Sequence, residues 1–158
     1  MSSVVDTEEL YSLLVPLAHE RLIVPRANVA EVVSWQTPEP MADAPPWYLG
    51  SILWNGRPVP VISFETACGH TLPPPGGRTR IVVFIGLTQK ISGGHFGMVT
   101  QGFPQLVRVN RDIVKPDPSR VFPERMPILC QVRMVNESPL IPDFDRLEQM
   151  ISEETRAG

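Results

Sequence analysis

Proline occurs 18 times in this chain of 158 residues, and the prolines are spread over most of its length. Because proline lacks a backbone N–H and fixes φ, helix interiors and central strands tolerate it poorly. The count therefore predicts many short strands, sheet edges and turns. Since 42% of the residues are apolar and 20% are charged, the composition is that of a globular protein. We expect one domain over residues 1–158.

Two segments have the pattern of a β-hairpin. In residues 10–26, two β-rich runs flank the polar turn 18–20. In residues 50–64, Asn55 and Gly56 separate two apolar runs, and this dipeptide supplies the positive φ angles of a type I′ turn. The second signal is the strongest local one in the sequence.

Other segments predict further strands. Residues 81–85 are continuously apolar and indicate a strand covered on both faces. Residues 128–135 alternate as a strand does. Residues 27–35 fit either one helical turn or an irregular strand entry, and their periodicity does not decide between the two.

The end of the chain predicts one helix, over residues 143–156. Four apolar residues fall on one face of it: Phe144, Leu147, Met150 and Ile151. A connection rich in proline and glycine, residues 69–79, is expected to divide the chain into two lobes. Some ten short strands with a closing helix suit a mostly β fold of two small barrels that share a core, on which the helix packs.

Charge and hydropathy exclude several partners. The net charge of -3 and the dispersed basic residues offer no surface for phosphates, so nucleic acid is not an expected partner. No apolar run approaches the roughly 20 residues of a membrane span, and the acidic N-terminal segment does not fit a signal peptide. We therefore expect a cytoplasmic protein without direct membrane insertion.

Catalytic and metal-binding motifs are not apparent in the sequence. His19, His70 and His95 each fall in a predicted loop without a companion ligand, and we interpret them as structurally incidental. A catalytic pair of Cys68 and His70 is disfavoured, because side chains so close in sequence do not easily converge on a third group. Cys68 and Cys130 lack metal-ligand spacing and are expected to be buried free thiols.

The tryptophans leave two interpretations open. Trp35, Trp47 and Trp54 flank the proline-rich residues 36–46 and the second hairpin. Large aromatic residues near loops serve either as core residues or as anchors of an interface.

The order of the motifs resembles the CheW-like domain family over about residues 13–151. The pieces that carry the resemblance are LIVPR at 22–26, VAEVV at 29–33, PWYLG at 46–50, GSILWNGRPVPVISF at 50–64, FGMV at 96–99, Leu106-Val107, and LIPD at 140–143 followed by Leu147. Each piece is short, but their order and spacing together are fairly specific.

The resemblance implies two intertwined five-stranded SH3-like lobes with a C-terminal α-helix. It also implies an adaptor without catalytic activity or cofactor, which couples the cytoplasmic tip of a methyl-accepting chemoreceptor to a CheA-type histidine kinase. By the same resemblance, the receptor-binding groove comprises Val29, Glu31, Leu106 and Val107. The kinase-binding surface comprises Trp54, Asn55, Gly56, Arg57 and Val59.

Two positions depart from the usual family pattern. Asn55-Gly56 stands where typical members have Arg-Gly, and Ser63 stands where they have Asp. Because arginine can bind a carboxylate through two parallel hydrogen bonds and asparagine cannot, partner contacts made there would differ. We lean towards an accessory CheW-like protein of a type IV pilus (twitching) chemosensory system. The alternative function is a ligand-sensing or regulatory module with a small molecule in the cleft between the lobes.

Overall fold

The computed structural model describes residues 10–110 and 112–157. Within these ranges the chain is mostly β, with one long helix at its end, which confirms the predicted fold class. In chain order the elements are β1 (Leu10–Pro16), β2 (Arg21–Pro25), a 3-10 helix (Arg26–Asn28), β3 (Val29–Ser34), β4 (Tyr48–Trp54), β5 (Arg57–Ile62), α1 (Phe64–Ala67), β6 (Arg80–Ile85), β7 (His95–Thr100), β8 (Gln105–Val109), β9 (Lys115–Asp117), β10 (Ile128–Arg133), β11 (Leu140–Pro142) and α2 (Phe144–Ala157).

The strands form two sheets, one for each lobe. The six-stranded sheet has the order β8-β1-β2-β11-β10-β9, and the five-stranded sheet has the order β3-β6-β7-β5-β4. The first sheet takes its strands from both ends of the described chain and the second takes them from the middle, so the lobes are intertwined as predicted. One lobe has six strands rather than five, because the three-residue β9 pairs with the outer side of β10.

The connection over residues 69–79 does not separate the lobes, contrary to expectation. It leads from α1 to β6, and the strands on either side of it, β5 and β6, both belong to the five-stranded sheet. The chain instead passes between the sheets at the 3-10 helix Arg26–Asn28 and at residues 101–104. Proline and glycine mark turns wherever they occur, and a turn does not reveal which sheet the next strand joins.

Both predicted hairpins are confirmed. β1 pairs with β2 and β4 pairs with β5, each in antiparallel fashion. At the tip of the second hairpin Asn55 has a φ of 52° and Gly56 a φ of 75°, as a type I′ turn requires. For residues 27–35 the sequence left open a helical turn or an irregular strand entry. The structure contains both, since the 3-10 helix Arg26–Asn28 leads directly into β3.

Buried apolar side chains form three clusters. The interlobe core lies between the two sheets and α2, and it includes Val15, Leu22, Ile62, Phe84, Phe96, Leu140, Leu147 and Ile151. The five-strand core comprises Ile52, Val59, Val61, Ile81 and Val99. The six-strand core comprises Leu14, Ile23, Val109 and Val132. Each lobe therefore has its own interior, and the largest cluster joins them.

Helix α2 packs on the interlobe core as predicted. The Asp143 carboxylate accepts a hydrogen bond from the backbone N–H of Arg146 at 3.0 Å, which caps the first turn. Leu147 and Ile151 are fully buried. The ring of Phe144 lies 5.2 Å from that of Phe84, in an edge-on arrangement typical of aromatic pairs.

Candidate interaction surfaces

The residues expected to bind the receptor lie on two edge strands. Val29 and Glu31 are on β3, at one edge of the five-stranded sheet, and Leu106 and Val107 are on β8, at one edge of the six-stranded sheet. Glu31 is exposed and Val29 and Val107 are half-buried. Leu106 is 51% exposed, which is a large exposure for a leucine in a strand. Glu31 and Leu106 are therefore accessible to a partner, whereas Val29 packs in part against a buried cluster that also contains Phe84, and Val107 against one that contains Val109.

Strand register places the two edges on the same side of the molecule. Val107 lies opposite Ser12, and Ser12 lies opposite Pro25. Two strand spacings separate Val107 from Pro25, which is about 10 Å. The 3-10 helix that follows Pro25 leads directly to Val29. The two halves of the predicted groove are therefore brought together, with β1 and β2 between them.

The residues expected to bind the kinase form the tip of the hairpin β4–β5, with one exception. Asn55, Gly56 and Arg57 are exposed and Trp54 is half-buried. Val59 is only 3% exposed and belongs to the five-strand core, so its assignment to a contact surface was wrong. Residues 59–62 are all buried, and this run without a polar side chain was the sequence signal for a strand covered on both faces.

The sequence analysis missed one exposed residue on this hairpin. Leu53 is 69% exposed, whereas Ile52 before it is buried. Leu53 lies opposite the exposed Pro58 in the β4–β5 pairing. Alternation along β4, with Ile52 inside and Leu53 outside, could have revealed it.

The two predicted surfaces meet at Trp54. The indole Nε1 of Trp54 donates a hydrogen bond to Glu31 Oε1 at 2.8 Å. The same indole ring lies 4.8 Å from the imidazole ring of His95. Because β3 and β4 are the opposite edges of the five-stranded sheet, this contact also shows that the sheet curls until its edges approach, as in a barrel.

Comparison of the chain with models of known protein families shows which family it belongs to. The model of the CheW-like domain matches residues 12–147, which is most of the chain. The chain belongs to the CheW-like domain family. This confirms the resemblance that the motifs carried.

A solved structure agrees with the CheW-like assignment. The scaffolding protein TtCheW from Thermoanaerobacter tengcongensis is similar with a TM-score of 0.71, over 85% of this chain and 84% of that chain, at 17% sequence identity. At that identity the likeness shows the fold. No curated protein matches the chain by sequence. In the described part of this CheW-like chain, no helix is long and apolar enough to cross a membrane.

The departure from the family pattern at Ser63 lies inside the protein. Ser63 is fully buried, and its Oγ accepts a hydrogen bond from the backbone N–H of Thr66 at 3.1 Å. It is thus the N-cap of α1. Serine and aspartate are both good N-cap residues, so either residue can cap α1 at this position. Ser63 therefore does not alter a partner contact directly.

The three tryptophans of this CheW-like domain are all half-buried. Trp35 and Trp54 pack against the five-strand core, and Trp47 packs against the interlobe core. The sequence left open whether they are core residues or interface anchors. Each of them packs partly in a core and is partly accessible to a partner. Trp54 is the one that lies within a predicted surface.

The histidines have more contacts than the sequence analysis expected. His95 packs against Trp54, as described above. His19 and His70 are far apart in sequence and were assigned to separate loops, yet their rings lie 5.6 Å apart. Among the described residues, no group of three or more His, Cys, Asp or Glu side chains is arranged to hold a metal ion.

The two cysteines differ in their surroundings. Cys68 is half-buried, and burial is the main cause that raises the pKa of its thiol to about 11. Cys130, expected to be buried, is exposed. It lies on β10 near the outer part of the six-stranded sheet, where only the short β9 extends the sheet further.

We expect the two thiols to react at very different rates. At about pH 8, a thiol of pKa about 11 is ionised in about one molecule in a thousand, and the thiolate is the nucleophile. Iodoacetamide should therefore modify Cys130 first and Cys68 more slowly by a factor of at least about 30 in the folded protein. Mass spectrometry of tryptic peptides measures both rates. Equal rates in the folded state, with equal rates in urea as the reference, would contradict the assigned burial.

Proposed function

We propose that this chain is an adaptor of a bacterial chemosensory system. It couples the cytoplasmic tip of a methyl-accepting chemoreceptor to a CheA-type histidine kinase, in the cytoplasm, in the control of chemotaxis or of type IV pilus twitching motility. The observation that carries the proposal is a pair of accessible surfaces on one CheW-like domain: the edges β3 and β8, and the hairpin tip β4–β5. The proposal assigns no catalytic activity and no cofactor.

The receptor is proposed to bind along β3 and β8. A receptor helix with apolar residues on one face can pack against Leu106 and the accessible part of Val29, and a basic residue beside that face can pair with Glu31. Val107 points to the other face of β8, against the six-strand core, and contributes only through its accessible part at the strand edge. Glu31 has an acceptor oxygen beyond the one that binds Trp54, so the carboxylate can serve both contacts. One charge beside an apolar strip fixes the register of such a helix.

The kinase is proposed to bind the hairpin tip. Exposed Leu53 and Arg57 lie here beside half-buried Trp54, and tryptophan and arginine are frequent among residues that dominate binding energy. Asn55 replaces the usual family arginine at the turn, while Arg57 lies two residues later. We therefore expect Arg57 to make the arginine contact with the kinase, two residues after the position that carries arginine in typical family members.

We expect substitutions in the receptor surface to weaken receptor binding. Leu106→Asp places a charge in the proposed apolar strip and should raise the dissociation constant at least about tenfold, because an unpaired charge at an interface is costly to desolvate. Val29→Asp and Glu31→Arg should act in the same direction. Co-sedimentation with receptor-containing membranes measures the effect. Circular dichroism should show an unchanged fold for Leu106→Asp and Glu31→Arg, and it is the necessary check for Val29→Asp, because Val29 packs in part against the interlobe core.

The matched control is Leu129→Asp. Leu129 is 63% exposed on β10, so it resembles Leu106 in residue type, exposure and strand environment, but it lies towards the other edge of the same sheet. Leu129→Asp should bind receptor as the unmodified chain does. If the Leu106→Asp, Val29→Asp and Glu31→Arg variants co-sediment with receptor-containing membranes as fully as Leu129→Asp does, the groove assignment is refuted.

A further inference from the structure

A cavity of about 210 Å³ lies beside the β1–β2 turn, and none of the residues assigned to the receptor or kinase surface lines it. Its walls come from the β1–β2 turn, from α1 and the residues after it, and from a strap, which we define as residues 118–127. Leu106 of the proposed receptor surface lies opposite Leu13 of β1, and the cavity begins four residues later at Leu17, which is about 13 Å along the strand. A molecule in this cavity would leave the proposed adaptor surfaces free.

An ion pair fastens the strap over the cavity. The guanidinium of Arg120 binds both carboxylate oxygens of Glu20, at 2.8 Å and 3.3 Å, across 100 residues of sequence. The hydrogen bond to Glu20 raises the pKa of Arg120, which stays charged. The same guanidinium lies 4.8 Å from the ring centre of Phe122. Arg120 is thus fixed at the rim of the cavity.

The inner wall of the cavity is apolar. Phe64 and Leu140 are almost fully buried, and Met126 and Ile128 are half-buried beside them. Cys68 also lines the cavity, and because its pKa is raised to about 11 it contributes a neutral thiol. An apolar cavity of roughly 150 Å³ in another protein is large enough for benzene. The present cavity therefore has room for one aromatic ring with a small substituent.

The polar groups of the cavity favour a ligand that accepts hydrogen bonds. Both oxygens of the buried Glu65 carboxylate already accept, from the backbone N–H of Ala18 at 2.9 Å and from Gln101 Nε2 at 2.8 Å. Arg120 has five N–H donors, of which Glu20 engages two. The remaining donor capacity lies on Arg120 and on the imidazole N–H groups near the mouth.

The charges around the cavity favour an uncharged ligand. Arg120 is balanced by Glu20, and the remaining carboxylate, Glu65, lines the cavity with both oxygens engaged by Ala18 and Gln101. An anion would meet the field of Glu65 without a free cation to offset it. A cation would have to compete with the Ala18 and Gln101 donors for Glu65, and the Arg120 guanidinium at the rim would repel it.

We propose that this cavity binds an uncharged single-ring aromatic molecule whose carbonyl or hydroxyl oxygen accepts hydrogen bonds from Arg120 and His70. The inference goes beyond the adaptor function and does not depend on it. It makes this CheW-like domain a binder of a small molecule at a site that contains none of the residues assigned to its two proposed protein partners.

The test uses benzamide as the probe and the two thiols as reporters. Saturating benzamide should slow the alkylation of Cys68 at least about fivefold at about pH 9 and leave the alkylation of exposed Cys130 unchanged. Calorimetric titration should give one site per chain. Benzylamine, which replaces the acceptor by a cationic donor, should bind at least about tenfold more weakly than benzamide.

A pair of histidine variants places the ligand. His70→Ala changes an exposed residue of the mouth and should weaken benzamide binding at least about threefold, while His95→Ala, beside Trp54, should not. Absence of Cys68 protection at the solubility limit of benzamide would overturn the site. Binding of benzylamine as tight as that of benzamide, or unchanged binding by His70→Ala, would overturn the proposed chemistry. If His70→Ala fails to fold, the protection data on the unmodified chain decide.

Discussion

Replacing Gly50 by alanine is expected to lower the free energy of unfolding by about 4 kcal/mol. Gly50 has a φ of 131°, a conformation that residues with a side chain rarely adopt. A Cβ at this position would overlap the carbonyl oxygen of Glu39 and lie 2.6 Å from its carbonyl carbon. The residue next to Gly50, Ser51, exchanges two backbone hydrogen bonds with Glu39, at 2.7 Å and 2.9 Å. The added methyl group therefore both strains the backbone and displaces the segment that covers β4.

The control for this prediction is Gly76→Ala. A Cβ at Gly76 would meet no atom within 4 Å, and the φ of Gly76 lies outside the left-handed region. Its free energy of unfolding should change by less than about 1 kcal/mol. Urea denaturation followed by circular dichroism measures both variants. A Gly50→Ala variant as stable as the Gly76→Ala variant would contradict the close approach of residue 39 to β4.

Replacing Glu148 by glutamine is expected to cost about 3 kcal/mol of unfolding free energy. Glu148 lies on α2 and is fully buried. Its carboxylate accepts three hydrogen bonds: from the backbone N–H of Leu87 at 2.8 Å, from that of Thr88 at 2.9 Å, and from the Thr88 hydroxyl at 2.6 Å. A glutamine side chain has the same shape, but its NH2 group would face donors rather than accept from them. The loop between β6 and β7 would then lose one of the two acceptor oxygens that attach it to α2 and would face an NH2 group in its place.

The matched control is Glu153→Gln, because Glu153 is an exposed residue of the same helix. It should change the stability by less than about 0.5 kcal/mol. Hydrogen exchange gives a local measurement in addition to urea denaturation: the amides of Leu87 and Thr88 should exchange faster in Glu148→Gln and be unaffected in Glu153→Gln. Unchanged exchange at both amides in Glu148→Gln would show that the carboxylate does not hold this loop.

Features that depend on neighbouring residues were predictable from the sequence. Asn55-Gly56 defines a type I′ turn by its own backbone preferences, so the hairpin β4–β5 followed directly. The apolar face of α2 repeats every three or four residues, and the continuous run at 81–85 identifies a buried strand. In each case the residues that decide the structure are close together in the chain.

Features that depend on distant residues were not predictable in this way. The partners of Glu148 lie 60 and 61 residues away, and a glutamate in a C-terminal helix gives no local sign of burial. His19 and His70 meet only because α1 packs near the β1–β2 turn. The segment 69–79 has the composition of a turn, but its position within one sheet follows from strand pairing far along the chain.

The candidate surfaces were located largely through the family resemblance. It assigned roles to residues that the structure places on two edge strands and on a hairpin tip. It failed at Val59, which belongs to the apolar run 59–62 and is buried. The hydrogen bond between Trp54 and Glu31 joins two surfaces that the sequence treated as separate. Curling of the five-stranded sheet creates this contact, and no local pattern encodes the closure of a sheet.

The central claim is that one chain holds receptor and kinase together through two surfaces, and a sedimentation assay with both partners tests it most directly. Kinase should pellet with receptor-containing membranes only when this chain is added. The Leu106→Asp variant should itself remain in the supernatant, whereas the Leu53→Asp variant should pellet with the receptor but bring down little kinase. Kinase that pellets equally with and without the chain, or a Leu53→Asp variant that retains both partners, would contradict the account.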